Sequence, residues 1–257
     1  MKAKLKDYIC IDLQRAFRNW KMPVGIFGVC VAFLYNSYEP SDVVSWISLM
    51  IIGTTLIMAA FIFSIYPYAT AFCEDMEHRS NMQFILRGSS FSYACSKLLV
   101  VFFSSVFTML SGFLLTVFII YLRYGLPAKN AINNIVDAQG HYYQLLEQGN
   151  YMLYFLFAGL QIASLAGTLA VLGLVCSLFV RNRMLVYILP VAFFYVQDIM
   201  AARFLGVIKG SVFSLNGIGI QSLSLTVEGQ SWQMFYLQIF AILLCSGAIM
   251  CWKMGRR

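Results

Sequence analysis

Repeated apolar runs constrain this chain more than any other feature of its sequence. The runs at 93–122 and 151–180 both exceed the roughly 18 residues needed to cross the hydrocarbon core of a bilayer. With 60% hydrophobic and 11% charged residues and a mean hydropathy of +0.75, the chain has the composition of a membrane protein. The net charge of +7 therefore bears on topology rather than on nucleic-acid binding.

The pattern predicts an all-α membrane protein, a single transmembrane domain over residues 1–257. The six predicted spans are 22–38, 43–70, 93–122, 151–180, 184–200 and 232–252. The connections are predicted to be a cytoplasmic loop at 71–92, an outer loop at 123–150 and a re-entrant segment at 203–231. In the last of these, glycines interrupt an apolar stretch, which favours a short re-entrant segment over another full span.

Residues 1–21 are predicted to form an amphipathic helix in the membrane interface. Its apolar positions recur at spacings of three and four and share one face: Leu5, Ile9, Leu13, Ala16, Phe17 and Trp20. The basic residues lie mostly away from that face, as in helices that rest among lipid phosphates. The alternative is a charged cytoplasmic end that only anchors the first span.

The distribution of basic residues predicts the orientation. With the N-terminus in the cytoplasm, the predicted inner segments hold 14 of the 18 Lys and Arg residues and the outer segments hold 4. Cytoplasmic segments are enriched in Lys and Arg, so both termini and the loop at 71–92 are predicted to be cytoplasmic.

Two stripes of small residues predict close helix packing rather than a substrate path. In the fourth span, Gly159, Ala163 and Gly167 follow one another at intervals of four residues. In the third span, the stripe contains small and weakly polar residues: Ser104, Thr108, Ser111, Gly112 and Thr116.

The sequence contains no constellation that predicts catalysis or metal binding. It lacks a phosphate-binding loop of the Gly-x-x-x-x-Gly-Lys-Ser/Thr kind. Its two histidines, His78 and His141, fall on opposite sides of the predicted membrane. The seven cysteines lie in or near predicted spans without metal-ligand spacing, so neither a disulfide framework nor a metal site is expected.

Two polar residues within apolar stretches are candidates for the pathway or for structural roles. Asp198 lies near the outer end of the fifth span, where a pair with Arg203 at the outer interface is favoured over a pathway role. Gln161 lies near the middle of the fourth span, where a bond to a neighbouring helix is favoured over lining a cavity.

The densest interior cluster of charge follows the second span. Glu74, Asp75 and Glu77 lie near a predicted helix start, where the helix dipole favours acidic side chains, and Arg79 follows. Such an element is suited to act as a rigid lever against a soluble partner. The alternative is a solvated connector.

Residues 72–97 resemble the segment after the second span in ABC-2-type permeases, the export-type membrane subunits of ATP-binding-cassette transporters. In that family an acidic coupling helix precedes a hydrophobic–Arg–Gly–small stretch and then Tyr and Lys at the start of the third span. Here these are the acidic residues from Glu74, the pair Arg87-Gly88, and Tyr93 and Lys97. The predicted architecture extends the resemblance over the whole chain.

The resemblance implies that a separate nucleotide-binding ATPase subunit docks on the cytoplasmic face. The residues implied at that contact are Glu74, Asp75, Glu77, His78 and Arg79. His78 departs from relatives, which often have another charged or polar residue there. Arg181 and Arg183 would form a second, smaller contact, and Arg15 or Arg18 would pair with Glu74 or Glu77.

The resemblance also implies the assembly and its location. A second copy of the permease or a sister permease would complete the pathway, in the bacterial cytoplasmic membrane. The chain itself would bind no cofactor and would not be an enzyme by itself, because ATP and Mg²⁺ belong to the ATPase subunit. The substrate could be an amphipathic peptide, a lipid-linked molecule or a drug-like compound.

Two other classes of function compete with this one. A stand-alone secondary transporter or channel subunit would carry ion sites near mid-membrane and often internal repeats, and neither is found in the sequence. An intramembrane enzyme would need a catalytic constellation, which the sequence does not contain.

Overall fold

The structure is a computed structural model that describes residues 5–35, 54–77, 90–125, 145, 148–180, 182–204 and 230–255. Eight helices are present in these ranges: α1 Leu5–Phe17, α2 Lys21–Tyr35, α3 Thr54–Ile65, α4 Ala71–Glu77, α5 Ser90–Tyr124, α6 Tyr151–Ser177, α7 Arg183–Phe204 and α8 Gln230–Gly255. The described part of the chain contains no strand, so the all-α prediction is confirmed for it.

Two helices are long and apolar enough to cross a membrane, α5 from Phe91 to Tyr124 and α6 from Tyr151 to Ser177. Both helices meet this requirement by length and composition alone. Three shorter apolar helical stretches lie in α2, α7 and α8: Lys21–Tyr35, Arg183–Val196 and Ile239–Lys253.

Helices α5 and α6 form the centre of the bundle. The small residues of α6 allow this close approach, because Gly159, Ala163 and Gly167 are all buried. A Cβ atom added at Gly159 would lie 2.8 Å from Cδ1 of Phe113, and one added at Gly167 would lie 2.7 Å from Cε2 of Phe102. The predicted packing seam on α6 is therefore confirmed.

The weakly polar stripe of α5 is also a packing surface. The hydroxyls of Ser104, Thr108 and Thr116 donate hydrogen bonds to carbonyl oxygens of α5 itself, at 3.0, 2.7 and 2.8 Å. Such bonds satisfy polar groups without a partner from another helix. Gly112 lies against α2, where an added Cβ would come within 2.6 Å of Cγ1 of Val29.

Large apolar side chains cover the outer surface of the bundle. At least half of the surface of each of these rings is exposed: Phe27 on α2, Phe103 and Phe118 on α5, Phe193 on α7 and Phe240 on α8. Exposed large apolar side chains are found on every one of these helices. A surface of this kind is suited to lipid contact.

Helix α1 packs against the beginning of α5 with a face that overlaps the predicted one in part, since Ala16 is buried and Ile9 and Leu13 are partly buried against the core. Tyr8, Asp12 and Ala16 are buried, whereas Leu5 and Phe17 of the predicted apolar face are 38% and 44% exposed. The buried face is thus rotated toward Tyr8, and it contains a carboxylate.

Several predictions fall wholly or partly outside the described residues. The start of the second predicted span, most of the segment after Glu77, most of the outer loop and residues 205–229 of the re-entrant segment belong to this group. These boundaries, and the number of six spans, stay predictions.

Candidate functional site

Four charged side chains from three helices meet at one end of the bundle. This charge cluster consists of Asp12 and Arg15 on α1, Asp75 on α4 and Lys97 on α5. Two carboxylates face two cations, so the formal charges balance. Arg15 is 41% exposed, and the other three side chains are at most 6% exposed.

Lys97 lies at the centre of the charge cluster. Its ammonium nitrogen is 2.8 Å from Oδ1 of Asp12 and 2.8 Å from Oδ2 of Asp75. It also donates to the hydroxyl of Tyr68 at 3.2 Å. These three acceptors match the three N–H groups of the ammonium, which satisfies a buried cation that would otherwise be very costly.

Hydroxyl donors complete the coordination of the two carboxylates. Tyr68 donates to Oδ1 of Asp12 at 2.7 Å, and Ser96 donates to Oδ2 of Asp12 at 2.7 Å. Tyr93 donates to Oδ2 of Asp75 at 2.8 Å. Arg15 donates to the remaining oxygen of Asp75 at 3.0 Å. All four carboxylate oxygens therefore accept hydrogen bonds.

The electrostatic surroundings of Asp75 favour its ionised form. Burial by itself would raise the pKa of this carboxyl group, but the nearby ammonium of Lys97 opposes that effect. Hydrogen bonds from Lys97 and Tyr93 and the charge of Arg15 act in the same direction as the ammonium, so the pKa of Asp75 lies below its ordinary value.

A second ion pair joins α4 to the start of α2. Lys21 donates to Oε1 of Glu74, and the two side chains are 26% and 25% exposed. The hydroxyl of Thr70 also lies 3.4 Å from the same carboxylate oxygen. Glu74 is therefore partly accessible, while its neighbour Asp75 is wholly buried.

The turn between α6 and α7 also contacts α4. The thiol of Cys73 lies 3.8 Å from the carbonyl oxygen of Val180, and the hydroxyls of Thr70 and Tyr187 are 3.1 Å apart. Lys253 of α8 reaches the same turn, where it donates to the carbonyl oxygen of Leu178 at 2.5 Å. Helix α4 and the preceding Thr70 are therefore joined to the α6–α7 turn and to α7, and that turn is joined to α8.

The residues of the predicted docking contact differ in how exposed their side chains are. Glu74 is partly exposed, but the side chain of Asp75 is 0% exposed and cannot form a surface contact in this chain. Glu77 ends α4 without a described side chain, and His78 and Arg79 lie outside the described residues.

The other predicted site residues lie on different elements. Arg183 is exposed at the first position of α7, and Arg181 lies outside the described residues. Gln161 is buried within α6. Asp198 lies within α7, and its side chain is outside the described set.

The predicted pairing of the N-terminal helix with the acidic segment involves a different acid. The resemblance implies a pair between Arg15 and Glu74 or Glu77, and the structure pairs Arg15 with Asp75. Arg18 is exposed and forms no ion pair within the described ranges. Lys21, not Arg18, binds Glu74.

Sequence reasoning did not assign roles to Asp12, Tyr68, Ser96 or Lys97. Asp12 carried a usable signal, because it lies between apolar residues of α1 at helical spacing, on the face that packs inward. An acid at such a position requires a cationic or hydrogen-bonding partner. Its partner Lys97 is 85 residues away, a separation that one sequence does not reveal.

The charge cluster connects α1, α4 and α5 through mutually paired groups. Its charges are mutually neutralised, and its carboxylate oxygens are already bonded. In the described part of the chain, no group of three or more His, Cys, Asp or Glu side chains could hold a metal ion.

Comparison with protein-family models, with curated proteins and with solved structures found no match for this chain.

Proposed function

We propose that this chain is the membrane-spanning permease subunit of an ATP-binding-cassette exporter. In this proposal it forms half of a translocation pathway, and a second copy or a sister permease forms the other half. A separate ATPase subunit binds ATP and Mg²⁺ and docks near α4. Six spans, with both termini in the cytoplasm, complete the arrangement.

The observation that carries the proposal is the attachment of α4 to the rest of the bundle. Asp75 joins this short acidic helix to α1 through Arg15 and to α5 through Lys97. A push against α4 would therefore move α1 and α5 with it. Helix α5 has 35 residues and, at about 1.5 Å per residue, is long enough to carry that movement across a bilayer.

The outer surface of the bundle supports the membrane part of the proposal. Exposed phenylalanine rings lie on α2, α5, α7 and α8, while the interior holds small residues and internally bonded hydroxyls. Small interior residues and close helix contacts are typical of helices that associate within lipid.

The partial exposure of Glu74 supports the docking part. Glu74 is partly exposed beside the charge cluster, and Glu77 follows it at the end of α4. The docking contact in this proposal comprises Glu74, Glu77, His78 and Arg79, with Arg181 and Arg183 as a second contact. Asp75 instead binds α1 and α5 and so holds α4 against the bundle.

The direct test is ATPase activity of a reconstituted pair. The chain would be co-expressed with a candidate ATPase subunit whose sequence contains a Gly-x-x-x-x-Gly-Lys-Ser/Thr loop, and the purified pair would be assayed in lipid. The expected results are co-purification and ATPase activity that depends on the permease. Transport by the purified chain without any ATPase would contradict the proposal and support a secondary transporter.

Charge reversal at the docking contact sharpens the test. Glu77→Lys is expected to weaken association by about tenfold, because it replaces an attractive charge contact by a repulsive one and a loss of about 1.4 kcal/mol corresponds to a factor of ten. Glu147→Lys, in the predicted outer loop, is the charge-matched control and should associate normally. Equal behaviour of the two variants would remove the acidic segment from the docking contact.

A further inference from the structure

A groove runs between α1 and the N-terminal half of α4. Its volume is about 590 Å³, and its walls include Gln14, Arg15, Arg18, Asn19 and Trp20 on one side. The opposite side is formed by residues of the turn after α3 and by Glu74. The lining of the groove therefore combines hydrogen-bond donors, the carboxylate of Glu74 and one exposed indole ring.

The charge of the groove is positive once its internal pairs are taken into account. Arg15 is paired with Asp75, and Glu74 is paired with Lys21. Within the described part of the chain, Arg18 is the cation lining the groove that forms no ion pair. One uncompensated guanidinium with amide donors nearby matches one phosphodiester anion.

The groove also adjoins apolar surface. Trp20, at its edge, is 82% exposed, and the ring of Phe17 contacts that of Phe107, with their centroids 5.2 Å apart. Phe107 is itself 47% exposed on α5. Indole rings favour the boundary between hydrocarbon and headgroups, so an acyl chain could follow this surface while its headgroup enters the groove.

We infer that this groove binds the phosphodiester headgroup of an anionic phospholipid, with Arg18 as the ligand to the phosphate. The inference rests on the membrane placement proposed above, but it does not require the ATPase subunit. A lipid held there would bridge α1 and α4 beside the charge cluster.

The test uses the purified full-length chain in a neutral detergent. Phosphatidylglycerol or phosphatidylcholine would be titrated in, and bound lipid would be counted by native mass spectrometry. The expected result is tighter binding of phosphatidylglycerol. Arg18→Gln is expected to weaken that binding about fivefold, the effect typical of one basic residue at an anionic surface.

Two further variants separate a site from general surface charge. Arg18→Lys keeps the charge but not the planar guanidinium, so its affinity is expected to lie between those of the wild type and Arg18→Gln, whereas general surface charge would leave it at the wild-type value. Lys6→Gln removes an exposed cation elsewhere on α1 and is expected to leave the affinity unchanged. Equal losses in Arg18→Gln and Lys6→Gln, or equal binding of the two lipids, would overturn the inference.

Other sources of the same chemistry give different results. If inorganic phosphate or glycerol phosphate displaced the lipid at comparable concentration, the groove would be a site for free phosphate rather than for lipid. If Arg18→Gln reduced ATPase stimulation in the reconstituted pair but left lipid binding unchanged, the groove would serve the protein partner. If no ATPase subunit bound this chain, the proposed function would be contradicted, but the lipid-binding measurement would not be affected.

Discussion

Asp12 and Lys97, 85 residues apart in the chain, form an ion pair of 2.8 Å in which neither side chain is more than 6% exposed. This pair fixes α1 to the beginning of α5. Because Lys97 also binds Asp75, the same ammonium fixes α4. One buried cation therefore determines the relative positions of three helices.

Removal of the Lys97 ammonium should destabilise the chain strongly. In Lys97→Gln, the carboxylates of Asp12 and Asp75 would lose the cation between them while remaining buried. Deletion of one partner from a buried ion pair typically costs about 3–5 kcal/mol. The free energy of unfolding in mixed micelles would measure this loss, and Lys6→Gln on the exposed side of α1 should change it by less than about 0.5 kcal/mol.

A second substitution tests whether the loss arises from uncompensated charge. The variant Asp12→Asn/Lys97→Gln removes one charge of each sign and leaves Asp75 with Arg15. It is therefore expected to be more stable than Lys97→Gln alone, even though it carries one more substitution. A double variant less stable than the single variant would show that packing, rather than charge balance, dominates at this site.

The charge cluster should also determine how stability responds to acid. The pKa of Asp75 is lower in the folded chain than its ordinary value of about 3.9. The ionised carboxylate therefore stabilises the fold fully at pH values above this ordinary pKa, and the stabilisation is lost as the pH falls through the pKa of Asp75 in the folded chain. Thermal unfolding at a series of pH values should show this loss in the wild-type chain and a shallower loss in Asp75→Asn.

Arg15→Gln provides the matching comparison for the acid profile. The charge of Arg15 is among the causes that lower the pKa of Asp75, so its removal should shift the acid-induced loss of stability to higher pH. If the wild type, Asp75→Asn and Arg15→Gln had the same profile, Asp75 would not be the group responsible.

The sequence predicted the helical class and the packing surfaces because these depend on local patterns. The glycine spacing on α6 and the small residues on α5 appear directly as repeats of three or four residues. The approaches at Gly159 and Gly112 follow from those repeats. Apolar helices also lie within most of the predicted spans.

The charge cluster could not be predicted in the same way because its pairs are non-local. Arg15 selects Asp75 over the more accessible Glu74, since Asp75 is the acid that points inward beside Lys97. The periodicity of a helix shows on which of its faces each acidic residue lies, but it does not show which other helix packs against that face. The rotation of α1 that buries Asp12 has the same origin: the ammonium of Lys97 offsets the cost of placing a carboxylate inside.

The contact between α5 and α2 should not tolerate an added methyl group at Gly112. A Cβ atom there would lie 2.6 Å from Cγ1 of Val29 and 3.0 Å from the carbonyl oxygen of Ile26. Val29 is fully buried, so the helices would have to separate, at a cost of about 1–3 kcal/mol for Gly112→Ala. The unfolding free energy in mixed micelles is again the measurement.

Gly247→Ala is the control for this substitution. A Cβ atom at Gly247 would lie 3.4 Å from Cδ1 of Leu98, an ordinary contact. Alanine also favours helix over glycine by up to about 1 kcal/mol. Gly247→Ala is therefore expected to be neutral or stabilising, and an equal loss in both variants would mean that the α2–α5 approach is not what restricts Gly112.

Exchange of the charges of Lys21 and Glu74 separates the structural role of this pair from its proposed docking role. Glu74→Lys alone would place two cations together and should lower stability and ATPase coupling. Lys21→Glu/Glu74→Lys restores an ion pair of reversed direction, so the melting temperature should return close to that of the wild type. The charge at position 74 stays reversed in sign, however, so a partner whose binding depends on a negative charge there would still dock poorly. Recovered stability with lost permease-dependent ATPase activity is therefore the expected combination. Recovery of both would mean that Glu74 only joins α4 to α2.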